Sequence, residues 1–195
     1  MATNKFIIGV SDFGVAKIAD EPANGHISYG EKMETSTTNA ISVNVDTANA
    51  SADGDNKQVA NITMVVGGTT EWTCWGMPEE TQAEIYGHTY DEKKGVVEKM
   101  GDLAPAIGHW FIRTIADDQL VKGYEAHFYL KSQAVKTNQQ TNTAGRSLTL
   151  TPTVVNLTIM EPVTSDPYHL HKEFTTLEAA QSYLDSILDG SIWTA

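Results

Sequence analysis

Between Asn39 and Val66 two runs of period-two alternation are joined by small and polar residues, a pattern that permits little besides a long antiparallel hairpin. Ile41, Val43 and Val45 fall on one side and Ser42, Asn44 and Asp46 on the other, as a half-buried strand requires. The segment TANASADGDNK follows and reads as the loop, with Asp53-Gly54 supplying a turn because glycine adopts positive φ without steric cost. Alternation then resumes, with Ala60, Ile62, Met64 and Val66 set against Val59, Asn61, Thr63 and Val65.

More strands are expected downstream. TTEWTCW follows Gly67-Gly68, and AIGHWFIRTI, KGYEAHFYLKSQAV and SLTLTPTVVNLTI come after it. In the third of these, Tyr124, Ala126, Phe128 and Leu130 alternate with Glu125, His127, Tyr129 and Lys131. In the last, Leu148 and Leu150 alternate with Thr149 and Thr151. Regularly spaced strands with short turns and no long helix between them predict a mainly β chain, an antiparallel sandwich or barrel.

Two helices complete the expectation. In PEETQAEIYG, Pro78 suits a first helical position, Glu79 and Glu80 complement the positive end of the helix dipole, and Gly87 closes the segment. Two turns are too few to stand alone, so this helix must lie on a sheet. Near the C-terminus, Thr175 and Glu178 have capping-box spacing, and Leu177, Ala180, Leu184, Ile187 and Leu188 form an apolar stripe over about 176–188. That helix covers either its own sheet or a neighbour's. The stretch PVTSDPYHLH, with two prolines, is the nearest thing to a flexible joint.

With 195 residues, 41% of them hydrophobic, the expectation is one domain. Within it, an N-terminal arm covers about residues 1–30 and a helical extension about 162–195. No apolar run reaches the ~18–20 residues that span a bilayer, and neither a membrane protein nor a secretory precursor is expected. Cys74 is the single cysteine, so the chain forms no internal disulfide, and a reducing site of synthesis is expected. The sequons at Asn49, Asn61 and Asn156 would matter only in a secreted glycoprotein. The formal charge of −12 excludes nucleic-acid binding through a basic footprint. It suits a surface past which a polyanion must slide without sticking.

Catalytic motifs fare poorly. Asp12-Phe13-Gly14 matches the magnesium-binding triplet of protein kinases but lacks every companion motif. His169 and His171 would share one face of an extended segment and could ligate a metal, although His26, His88, His109 and His127 are scattered in sequence. Ordinary surface histidines are the reading preferred, so no catalytic, cofactor or metal site is assigned. Cys74, between Trp72 and Trp75, reads as a packed thiol rather than a nucleophile. Glu79, Glu80 and Glu84 are explained by helix electrostatics without acid/base work.

The order of elements resembles the major tail tube proteins of long-tailed, non-contractile bacteriophages. A long hairpin with ASADGDNKQVA in it is followed by MPEETQAEIYGH, similar to that family's segment of proline, acidic and alanine residues closed by glycine-histidine. The resemblance continues through the Asp102-Leu103-Ala104-Pro105 turn, LAPAIGHWFIRTI, GYEAHFYLKSQA and the terminal DGSIW, and covers roughly residues 33–160 and the last few. It implies a virion structural subunit without catalysis or cofactor, made in the bacterial cytoplasm. The implied fold is a β-sandwich or barrel with a flanking helix, shared with contractile tails and the type VI secretion tube. Implied too are hexameric rings stacked into a tube, with tape measure, tail tip and tail terminator proteins as partners and double-stranded DNA passing through unbound. A ring of six would carry about −72.

Within that reading Asp53, Gly54 and Asp55, at the hairpin tip, are expected at ring-to-ring contacts, and Leu184, Ile187 and Trp193 in packing between subunits. The alternative is a β-sandwich module that binds carbohydrate or a host surface through Trp72, Trp75 or Trp110.

Overall fold

The computed structural model describes residues 4–54, 57–120, 122–136 and 150–194, with residues 53, 54 and 57–59 described by backbone alone. Among them, eight strands form one antiparallel sheet. In chain order these are β1 (Lys5–Asp20), β2 (Ser28–Met33), β3 (Thr38–Gly54), β4 (Lys57–Cys74), β7 (Ala106–Asp117), β8 (Lys122–Val135), β9 (Thr153–Ile159) and β10 (His169–Phe174). The spatial order is β2-β1-β7-β8-β9-β4-β3, and β10 pairs with β8 beside β9. A small separate ribbon, β5 (Thr89–Asp91) and β6 (Gly95–Val97), follows the first helix.

The sheet curls until its two ends meet. Phe13 of β1 stacks on Trp72 of β4 with ring centroids 4.1 Å apart, and Thr35 Oγ1 donates to the Phe13 carbonyl at 2.7 Å. The concave side thereby encloses Phe13, Val15, Trp72, Phe111, Tyr129, Val155 and Leu157. The convex side carries Trp110, Ile112, Ala126, Phe128 and Leu130, a second core. Alternation along β8 thus serves two cores, because both faces of its strand are buried.

Helix α1 (Glu79–Tyr86) plugs the concave side with Ile85, which is wholly buried; a side chain of that size contributes about 1.5–3 kcal/mol. Pro78 stands one position earlier than the sequence suggested, as an extended N-cap residue. Gly87 is left-handed at φ 71°, and a Cβ there would lie 2.0 Å from the Leu103 carbonyl oxygen. Only glycine fits that position. Helix α2 (Leu177–Leu188) takes its own sheet, burying Ala180, Leu184 and Ile187 against the convex core. Its cap is Thr176, which accepts from the Ala179 N–H at 3.3 Å, in place of the expected Thr175.

Three further expectations are corrected. Most of TANASADGDNK is strand: β3 and β4 stay paired from Thr38↔Cys74 to Gly54↔Lys57. The Gly67-Gly68 pair does not end a strand, because β4 runs straight through it beside a bulge where a Gly68 Cβ would lie 2.5 Å from the Asn44 carbonyl oxygen. Residues 5–20, expected within an arm, lie inside the sheet between β2 and β7. In SLTLTPTVVNLTI, residues 148 and 149 lie outside the described residues and the strand begins at Thr153.

Segment 162–174 is tied down rather than hinged. Asp166 accepts from the Ile27 N–H at 2.9 Å and from Thr164 Oγ1 at 2.9 Å, and lies 2.5 Å from His26 Nδ1. Burial raises the Asp166 pKa, but these three partners outweigh it and hold the carboxyl below its ordinary range.

Candidate functional site

Two regions carry side chains that the fold leaves for other work. The first is the distal half of the hairpin. β4 pairs with β9 only from Gly68 to Cys74, so among the described residues 57–67 have β3 as their one strand partner. This two-stranded ribbon is exposed along both faces. The register pairs Ala48 with Met64, Ala50 with Ile62 and Ala52 with Ala60, which puts them all on one side. Thr47, Asn49, Ser51, Asn61 and Thr63 take the other, together with Val65 opposite Thr47. The ribbon is therefore amphipathic, yet Ile62 and Met64 remain 59% and 58% exposed. An apolar stripe of this kind has no partner among the described residues.

The sheet also ends in open strands. β2 and β3 terminate the strand order, and their outer backbone edges have no strand beside them among the described residues. Such edges are templates for pairing with another chain.

The second region lies on the concave face of β7, β8 and β10, where register sets three cross-strand rows: His109, Tyr129 and His169; Phe111, His127 and His171; Arg113, Glu125 and Glu173. Rings stack along and across them, with centroids 4.8 Å apart for His109 and Tyr129, 4.3 Å for Tyr129 and His169, and 5.3 Å for His127 and His169. His127 Nδ1 and His169 Nε2 share a 3.1 Å hydrogen bond. Glu125 Oε2 lies 2.9 Å from His127 Nε2 but without hydrogen-bond alignment. His109, wholly buried, is held between Thr70 Oγ1 and Ser132 Oγ, each at 3.0 Å.

Burial governs the titration of this face. It pushes His109 down to about 3 and, with the neighbouring His127 and His171, pushes His169 down to about 4. His127 is also lowered by burial, against the pull of Glu125. For Glu125 burial acts upward, but His127, Arg113 and His171 outweigh it and leave the carboxyl lowered. At neutral pH His109, His127 and His169 are uncharged imidazoles beside the ionised Glu125.

Compared with known families and curated proteins, the chain matches none.

The histidines called scattered are therefore partly gathered, since His109, His127, His169 and His171 meet across strands far apart in sequence. Among the described residues no group of three or more His, Cys, Asp or Glu side chains is arranged to hold a metal. His88 sits elsewhere, with Nδ1 2.9 Å from Asp102, whose carboxylate also accepts the Lys99 N–H at 2.9 Å. It fixes the loop after α1 rather than lining a reaction centre. Asp12-Phe13-Gly14 forms a bulge in β1, with Asp12 at φ 52° and Phe13 in the core.

The residues expected at ring-to-ring and subunit contacts fall in unlike settings. Asp53 and Gly54 end β3 opposite Gln58 and Lys57, at the far end of the ribbon, and Asp55 lies outside the described residues. Leu184 and Ile187 are consumed by the chain's own core at 2% and 0% exposure. Trp193, in a 3₁₀ turn over Ser191–Trp193, stacks on His26 at 4.4 Å. Trp72 and Trp110 are core residues, whereas Trp75 lies just past the end of β4 and is exposed. Glu84 approaches Lys17 at 3.8 Å on the surface, while Glu79 and Glu80 are exposed. Cys74 is buried, and burial pushes its thiol pKa up, opposed by Ser36. No helix among the described residues is long and apolar enough to cross a membrane.

Proposed function

We propose that this chain is the structural subunit of a phage tail tube, closing into hexameric rings that stack around a channel for DNA. The observation that carries the reading is the projecting ribbon with its apolar stripe of Ala48, Ala50, Ile62 and Met64, a surface built for another copy of the chain. Three features support it. The sheet offers open edges at β2 and β3, which a closed ring of subunits would cover. The net charge of −12 suits a lining that repels DNA. The order of hairpin, capped short helix and following strands resembles that of tail tube proteins.

Each part has a mechanical role in this account. Strand edges join neighbours within a ring, the ribbon reaches the next ring, and carboxylates keep the channel from gripping its cargo. Tape measure, tip and terminator proteins are the partners it entails. The alternative, a carbohydrate-binding module, loses two of its three tryptophans to the core and keeps Trp75 alone. Light scattering of purified protein over a wide concentration range tests the proposal. Growth into large particles, spontaneous or seeded by a tail-tip complex, is expected; a monomer under every condition would remove it.

A further inference from the structure

We propose that the β8–β10 seam is an acid-released clasp, in which protonation of the facing His127 and His169 rings frees β10 from β8. The bond between His127 Nδ1 and His169 Nε2 exists only while one of the two nitrogens is bare. When both carry protons, N–H faces N–H at 3.1 Å, and two imidazolium rings lie stacked with centroids 5.3 Å apart.

One carboxylate faces that charge, and other cations add to it. Arg113 of β7 and His171 of β10 add positive charge, and His109 of β7 stands behind Tyr129. Glu125 of β8 is the carboxylate beside the rings, with Oε2 2.9 Å from His127 Nε2 and 3.8 Å from Arg113 Nη1, so a single carboxylate serves Arg113 and both rings. Glu173 of β10 lies at the rim, ion-paired with Lys5 of β1. Tyr129 and Tyr168 complete the wall.

β10 is the piece that yields. It is held by six register pairs to β8, and its other edge has no strand beside it among the described residues. β8 itself is held by β7 along ten register pairs and by β9. Helix α2 is anchored on the convex core through Leu184 and Ile187; Leu170 and Phe174 of β10 pack on that core too, with the Phe174 and Tyr183 centroids 5.3 Å apart, so release parts these contacts while α2 stays on its core. Strand release therefore need not unfold the rest. The sign follows from the lowered pKa values: above about 6.5 the rings are neutral whether β10 is paired or free. As pH falls towards 4, free β10 takes up protons that the paired state refuses, which favours release.

The clasp operates within one chain, so its test does not depend on assembly. Amide hydrogen exchange, expressed as protection relative to the unfolded chain, is compared for Leu170 and Lys172 of β10 and for Phe111 and Ile112 of β7. Between pH 7.5 and pH 4, β10 protection is expected to fall at least tenfold more than that of β7. His127→Phe/His169→Phe, which keeps the stacked rings without their charge, is expected to abolish the difference. Should that variant not fold, ring resonances of the wild-type histidines decide, since His127 and His169 must titrate together with the loss of β10 protection. Equal loss in both strands, an undiminished difference in the variant, or ring titration with β10 still protected would each overturn the proposal.

Discussion

Phe13 lies flat on Trp72, with centroids 4.1 Å apart and planes 17° apart, and through this contact β1 closes against β4 across the sheet. Both rings are buried, and the Trp72 Nε1–H is satisfied by Thr38 Oγ1 at 3.1 Å. Replacing Trp72 with Ala should cost about 3–5 kcal/mol, the usual range for emptying an aromatic core site. Trp72→Phe should retain much of that by keeping the stack. Urea unfolding monitored by circular dichroism gives both values, and a cost for Trp72→Ala below 1 kcal/mol would mean that the two sheet ends do not depend on each other.

Gly87→Ala should destabilise the protein by at least about 1–3 kcal/mol, since the left-handed conformation is strained for alanine. The close Leu103 carbonyl adds to that cost. Gly76→Ala is the control, being also at positive φ but with nothing within 4 Å of the added Cβ. Denaturant midpoints should rank wild type, Gly76→Ala and Gly87→Ala in that order.

Acid should weaken the fold before any carboxylate titrates. His109 is neutral in its buried site with a pKa of about 3, whereas the unfolded ring binds a proton below about 6.5. Stability is unaffected by this ring above that pH and falls as pH drops towards 3, by up to about 1.4 kcal/mol per unit. Glu125 and Asp166, lowered in the fold, add their own losses only below about pH 4.5. Unfolding free energies between pH 7.5 and 4.5 should slope downward in wild type and less steeply in His109→Gln, which also starts from lower stability through its altered bonds to Thr70 and Ser132.

Legibility in the sequence followed the regularity of the backbone. β8 and α2 were readable because their apolar residues keep period two or the helical period without interruption, and α1 because Pro78, Glu79, Glu80 and Gly87 mark its ends. β1 was not, because bulges between Ile7 and Gly9 and between Ser11 and Gly14, with Asp12 at φ 52°, shift its alternation twice. The β3 half of the ribbon reads as a loop because its repeat uses alanine: Ala48, Ala50 and Ala52 alternate with polar residues at too low a contrast to register as strand, whereas Ile62 and Met64 make the β4 half legible. The histidine cluster was out of reach for another reason. His109, His127 and His169 are neighbours only through the register of three strands, which spacing along one chain does not encode.

The ribbon stripe should matter to assembly and not to folding. Ile62→Lys/Met64→Lys replaces two exposed side chains, so its effect on monomer stability should stay within about 0.5 kcal/mol per site. Sedimentation velocity should nonetheless show the large species of the wild type reduced to small ones. Unchanged assembly would move the contact between copies away from the ribbon.

Electron microscopy of the assembled protein tests the central claim most directly. The account predicts stacked rings of six-fold symmetry around an open channel, with the ribbon of one ring seated on the next. Particles of any other symmetry, or a protein that stays monomeric at high concentration even with a tail-tip initiator, would contradict it.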